Sequence, residues 1–179
     1  MIDPASCPCV ICTAPDVELG TFDQRVVANV ERCGWSVALI PEDETGPGWA
    51  FTIGLRHSVG SPEVAMFGLD LDLMHECLNT VAGAVAAGRP LSPGQERDDV
   101  LEDLLVVINP VHESWHKPLF GAALWFYRQR PQPFMEMVWP DGYGRFPWSE
   151  DCSPSIQELQ PLLWIPKSEH TPGPWTRLP

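Results

Sequence analysis

Apolar residues at Phe22, Val26, Val30 and Cys33 fall on one face of a 3.6-residue repeat. Thr21 followed three positions later by Gln24 spells a capping box, and Gly34 supplies a left-handed stop, so the spacing predicts a helix over residues 22–33. Trp35 to Ile40, Trp49 to Leu55 and Glu63 to Gly68 read as short strands, with an acidic, turn-rich loop over 41–48 between the first two. Asp70 is placed to cap a second helix whose Leu71, Met74, Leu78, Val81 and Val85 form a single apolar stripe ending at Gly88. A loop rich in Gly, Pro and charge over 88–99 leads to Leu104 to Asn109, a continuous apolar run of the kind found in central strands. Leu119 to Tyr127 then reads as a helix, Phe134 to Trp139 as a strand, and Ile156 to Leu159 as a short helix within a proline-rich end. Three strands between Trp35 and Gly68 leave no room for crossover helices. The expected class is therefore α+β, a single domain with a mixed or mostly antiparallel sheet and two to three packed helices. A cysteine-bearing arm over 1–20 and a proline-rich tail over 151–179 are expected to flank an α+β body over 21–150.

Composition narrows the partners. The 179 residues are 44% hydrophobic and include eight tryptophans, enough for a packed core. A formal charge of −13 repels phosphate backbones and anionic membrane surfaces, so neither nucleic acid nor membrane is expected as a partner. No long apolar run and no basic, apolar leader is visible at MIDPASCPC, and the expected location is cytoplasmic. In a reducing compartment the six cysteines are expected as free thiols or metal ligands rather than disulfides.

Two segments offer metal chemistry. His112, Glu113 and His116 have the H-E-x-x-H order of zinc peptidases, which works only where a helix stacks both imidazoles on one face. Pro118 most naturally opens the helix that follows, which leaves the two histidines in the connection before it. A metal-dependent hydrolase with Glu113 as base is thus the alternative reading. Cys7, Cys9 and Cys12 are a stronger signal, because three thiols within six residues converge on one soft cation with little loop strain. Zinc is the natural choice, with Cys152, His112 or His116 as fourth ligand; a redox thiol cluster and an arm of unliganded cysteines are the other readings. Cys33 and Cys77 lie on helix stripes and are expected in the core.

Elsewhere the candidates are weaker. His57 with Glu63 has the makings of an acid–base pair, and Asp141 with Arg145 that of a polar pair across a turn. Trp139, Tyr143, Phe146 and Trp148 are dense enough to wall a concave site or to pack a loop against the sheet. Neither a phosphate-binding loop nor a G-x-S-x-G elbow is present.

Taken in order, GWSVALIPED, WAFTIGLRHSVGSPEVAMFGL and WPDGYGRFPW resemble the bacterial family described as domain of unknown function four-two-six-two. The matching positions are Gly34 and Trp35; Phe51, Thr52, Gly54 and Leu55; Pro62 and Glu63; Gly68 and Leu69; and Trp139, Pro140, Asp141, Gly144, Phe146, Pro147 and Trp148. Ser61 stands where family members often carry histidine. The resemblance implies no activity, and it implies a shared site only through the polar members of its motifs: Thr52, Glu63 and Asp141, with Trp139 and Trp148 as walls. The expected function is a binding domain with an aromatic-lined site for a small ligand, peptide or protein partner and a zinc knuckle at the N-terminus. An accessory or immunity protein of a biosynthetic or toxin cluster is a further alternative.

Overall fold

The computed structural model describes residues 7–13 and 19–178; the parts of the expected arm over 1–6 and 14–18 lie outside the described residues. Six strands make one mixed sheet: β1 (Ser36–Ile40), β2 (Trp49–Ile53), β3 (Glu63–Phe67), β4 (Gln95–Leu101), β5 (Leu104–Pro110) and β6 (Phe134–Val138). Their order is β1-β2-β3-β6-β5-β4. Every neighbouring pair is antiparallel except β3 with β6, which run parallel at the centre. The fold is α+β, as the clustering of strands predicts. Among the described residues no helix is long and apolar enough to cross a membrane.

Helices cover both faces of the sheet. Helix α1 (Thr21–Cys33) ends at Gly34, whose φ of 91° and N–H bond to the Val30 carbonyl make the expected left-handed stop. Its start differs from the expectation. Gly20 occupies the cap position with no side-chain bond, and Gln24 reaches back to the Leu19 carbonyl at 2.9 Å. Only Val26 and Val30 are buried on this helix; Phe22 and Cys33 are exposed, so Cys33 is not a core residue. Helix α2 (Leu55–Val59) is a single turn and α3 (Leu71–Ala86) is the long helix. The Asp70 side chain accepts from the Asp72 and Leu73 amides at the start of α3, and Met74, Cys77, Leu78, Val81 and Val85 are buried. They pack on Val64, Met66, Met135 and Met137, which alternate along β3 and β6 toward that face.

The other face holds Phe51, Phe67 and Phe134 against Phe120, Phe126 and Trp115. Helix α4 (His116–Leu119) and helix α5 (Gly121–Phe126) lie here, separated by a break at Phe120. The sequence led to one helix opened by Pro118. Pro118 instead sits in the first turn of α4, where its missing N–H costs nothing, so coiling starts earlier. Two elements had no sequence signal. Helix α2 is too short for a period, and β4 falls in the segment expected to be a loop. Strand β4 is an edge strand, QERDDVL, whose charges replace the usual alternation; there Arg97 forks onto Asp99 at 2.7 and 2.8 Å. Helix α6 (Pro154–Leu159) covers the predicted short helix.

The flanking segments are part of the core. Cys7, Cys9 and Val10 from one end and Leu163 and Trp175 from the other are buried in the same cluster as Phe51 and Phe134. The tail is fixed by polar contacts as well: Trp175, edge-on to Phe67 at 5.1 Å, donates its Nε1–H to the Glu158 carbonyl at 3.0 Å, and the Leu163 amide donates to Glu136 Oε2 at 3.0 Å. Glu136 lies on β6, 1% exposed, and among the described residues its Oε1 has no partner.

Burial therefore pushes the Glu136 acid well above the usual carboxylate range. The folded state then keeps a proton that the unfolded chain releases near pH ~4.3. The resulting stabilisation is complete below that pH and is lost as pH rises toward the folded-state value, at up to about 1.4 kcal/mol per pH unit. Glu136→Gln has no proton to lose and keeps an acceptor for Leu163. Its stability advantage over the native protein should widen between pH 5 and pH 7 in urea unfolding; a constant difference would contradict a protonated Glu136.

Candidate metal centre

The ladder between β2 and β3 stops at Phe51 opposite Ala65. Beyond it, side chains take over the work of the backbone. Thr52 Oγ1 accepts the Val64 amide at 2.9 Å and donates to Glu63 Oε2 at 2.7 Å. Glu63 Oε1 accepts the amides of Gly54 at 3.0 Å and Arg56 at 3.2 Å, and the Tyr127 hydroxyl closes the set. Thr52, Glu63 and Tyr127 are all 0% exposed, so this is a sealed internal network rather than a ligand surface. Burial pushes the Glu63 acid upward, and its donors, with Tyr127 and Thr52 foremost, oppose that rise.

The network determines where the next turn goes. Gly54 has a φ of 110°, and a Cβ there would lie 2.7 Å from the Val30 side chain, so the chain turns at a position that only glycine fills. Helix α2 follows, held on one side by the two amides on Glu63 and on the other by Ser58 Oγ, which donates to the Gly34 carbonyl at 2.6 Å. His57 projects from this turn. Its ring does not pair with Glu63; it faces the N-terminal segment.

That segment is a knuckle. The Thr13 amide and hydroxyl both bond to the Cys9 carbonyl, at 3.1 and 2.8 Å, while the Val10 amide is docked on the Phe126 carbonyl at the end of α5. Cys7, Cys9 and Cys12 thereby point at one atom: their sulfurs lie 3.7, 3.3 and 3.4 Å from His57 Nδ1. All four ligand atoms lie within 4.8 Å of one another. A tetrahedral zinc with Zn–S about 2.3 Å and Zn–N about 2.0–2.1 Å sets S···N near ~3.6 Å and S···S near ~3.8 Å. The three observed S···N distances bracket that value.

Hydrogen bonding alone does not account for the arrangement. Three S–H groups converge on one imidazole nitrogen that has a single lone pair to offer. Burial drives the Cys9 thiol up to about 12 and raises Cys12, while it lowers His57, so the uncharged forms crowd together. A cation among the four donors removes that conflict. The donor set thus fits a thiophilic divalent ion.

The remaining candidates go elsewhere. Cys152, the expected fourth ligand, is not in the group; its thiol donates to the Arg145 carbonyl at 3.6 Å. His112 has extended backbone, its Nδ1 accepts the Ser114 amide, and residues 113–115 form a 3₁₀ turn before α4. His116 is instead packed on Phe134 at 4.9 Å, its Nε2 buried without a partner among the described residues. Among the described residues His112, Glu113 and His116 make no metal-capable group. Trp139 is buried and donates to the Phe67 carbonyl at 2.8 Å. Asp141 is buried too, accepting the Tyr143 and Arg145 amides and pairing with the Arg145 guanidinium at 2.8 Å. Trp148 differs: it is 43% exposed, stacked on Phe146 at 4.6 Å and edge-on to Trp164 at 5.4 Å.

The family model described as Domain of unknown function (DUF4262) matches residues 29–153, and the chain belongs to that family. The matched region contains Thr52, His57 and Glu63 but begins after the three clustered thiols. Neither the comparison with curated proteins nor that with solved structures gives a match.

Thr52→Val keeps the volume and removes the hydroxyl, which leaves the Val64 amide and one Glu63 oxygen unpaired. It should cost about 2–4 kcal/mol of unfolding free energy, against about 1 for Thr52→Ser, which loses only a methyl group. Urea titrations giving equal losses for the two would exclude the hydroxyl as the ladder's replacement.

Proposed function

We propose that this DUF4262 protein is a small binding domain whose N-terminal segment is stapled to the sheet by one zinc ion on Cys7, Cys9, Cys12 and His57. The observation that carries the reading is the convergence of three thiols on His57 Nδ1 at 3.3–3.7 Å. Three thiolates and an imidazole favour zinc over hard cations such as magnesium or calcium. Four protein donors fill a tetrahedral shell, the pattern of structural zinc sites, whereas catalytic sites keep one position for water. Zinc bound here links Cys9, at 0% exposure in the core, to the turn that Glu63 holds, so its binding energy becomes folding energy.

The binding surface in this reading is the exposed aromatic segment. Tyr143 is 85% exposed under the Arg145 guanidinium, and five residues further on Trp148 stands between Phe146 and Trp164. Aromatic side chains held by their neighbours give contact area at small entropic cost, which suits a peptide or protein partner. The −13 charge steers such a partner toward basic character. The hydrolase alternative has less support, because His116 is packed among phenylalanines and His112 is engaged with Ser114.

Protein purified without chelator should contain about one zinc per chain, and Cys9→Ser or His57→Ala should release it. Cobalt in its place should show the absorption bands of a tetrahedral thiolate site. Absence of metal together with failure to take up cobalt would end the zinc reading. Trp148→Ala should leave the metal content unchanged and release any protein that co-purifies; retention of that partner would move the binding surface elsewhere.

A further inference from the structure

An open cavity of about 370 Å³ lies against the thiol cluster, with Cys7, Thr13, Arg56, Arg130 and Gln132 in its wall. It reverses the sign of the surrounding molecule. The chain has 11 lysines and arginines against 24 acids, yet among the described residues two arginines share this rim and no carboxylate lines it. Among the described residues neither the Arg56 nor the Arg130 guanidinium has an ion-pair or hydrogen-bond partner. Their backbones are nevertheless fixed, Arg56 by its amide on Glu63 and Arg130 by its amide on the Tyr127 carbonyl at 3.1 Å. In the same wall Gln132 is 3% exposed: its Nε2 donates to the Arg130 carbonyl at 3.2 Å, and its buried Oε1 has no partner among the described residues. Turning the amide over would set two oxygens against each other, so the acceptor stays the unpaired atom.

We infer that this cavity receives a small carboxylate that carries a neighbouring N–H: the guanidinium groups take the carboxylate and Gln132 Oε1 takes the N–H. Planar guanidinium forks match carboxylates in a two-point geometry, and a buried unpaired carbonyl costs free energy until a donor reaches it. An N-acylated amino acid and the C-terminus of a peptide share this chemistry. The site goes beyond the zinc reading and does not need the metal. The two stand near each other because Arg56 and His57 are neighbours on the same anchored turn.

The test is an amide-resolved NMR titration of the full chain, zinc-loaded and chelated, with N-acetylglycine, acetate, N-acetylglycinamide, an acetylated tripeptide with a free carboxylate, and inorganic phosphate. N-acetylglycine should give saturable shifts at Thr13, Arg56 and Gln132, and the uncharged amide none. Arg130→Ala, an exposed change that leaves the fold intact, should weaken binding about tenfold, and Gln132→Leu should weaken N-acetylglycine more than acetate. Tighter binding of the tripeptide than of N-acetylglycine identifies a peptide C-terminus as the source, and equal binding a free metabolite. The proposal is overturned by absence of saturable shifts up to about 20 mM of any probe, or by phosphate binding better than carboxylate. It is also overturned if Arg130→Ala lowers zinc content while carboxylate binding is absent, since the arginines would then serve only to balance the thiolates. Loss of metal with carboxylate binding intact would remove the zinc reading and leave this one standing.

Discussion

A fully buried carboxyl group whose partners are all protein donors organises the centre of this molecule. Glu63 sits at the start of β3, where the ladder to β2 has ended, and is held by backbone amides and two hydroxyls. In a low-dielectric interior such an acceptor is tolerated only if its donors are all in place, and each donor is correspondingly fixed. The amides of Gly54 and Arg56 are two of those donors. The path of α2 and the direction of His57 follow from that constraint, so the geometry of the thiol cluster is set from inside the sheet.

The same constraint explains why the polar residues that the sequence resemblance singled out are not a surface. Thr52 and Glu63 are spent on each other, Asp141 on its own turn, and Trp139 on the Phe67 carbonyl. Gly54 and Gly68 belong with them for steric reasons, since both have positive φ and a Cβ at Gly68 would fall 2.6 Å from Leu159. These residues maintain a shape. What the shape presents lies at its margins: the knuckle with its adjoining arginines, and the exposed aromatics around Trp148.

Periodicity and turn chemistry made much of the fold legible. The α3 stripe, the Asp70 cap, the Gly34 stop and most of the strands follow from local spacing, because each is decided by residues within a few positions. The α+β class follows from strand spacing alone. Elements without a period were invisible: α2 is one turn long, and β4 carries charge where alternation would be. The break at Phe120 and the exposure of Cys33 depend on what packs against each helix, which spacing does not report.

By itself the sequence put three thiols within six residues, a spacing that permits them to share a cation but does not make them converge, since that stretch can extend over about 17 Å. It also argued through Pro118 that His112 and His116 do not share a helical face, although the helix starts at His116 rather than at the proline. The fourth donor was decided only by the tertiary structure. His57 is 45 residues from Cys12, and Cys152 is just as plausible by composition. The choice between them depends on a turn whose position is set by a buried carboxylate, a glycine with positive φ and the docking of Val10 on α5. None of those long-range contacts has a local signature.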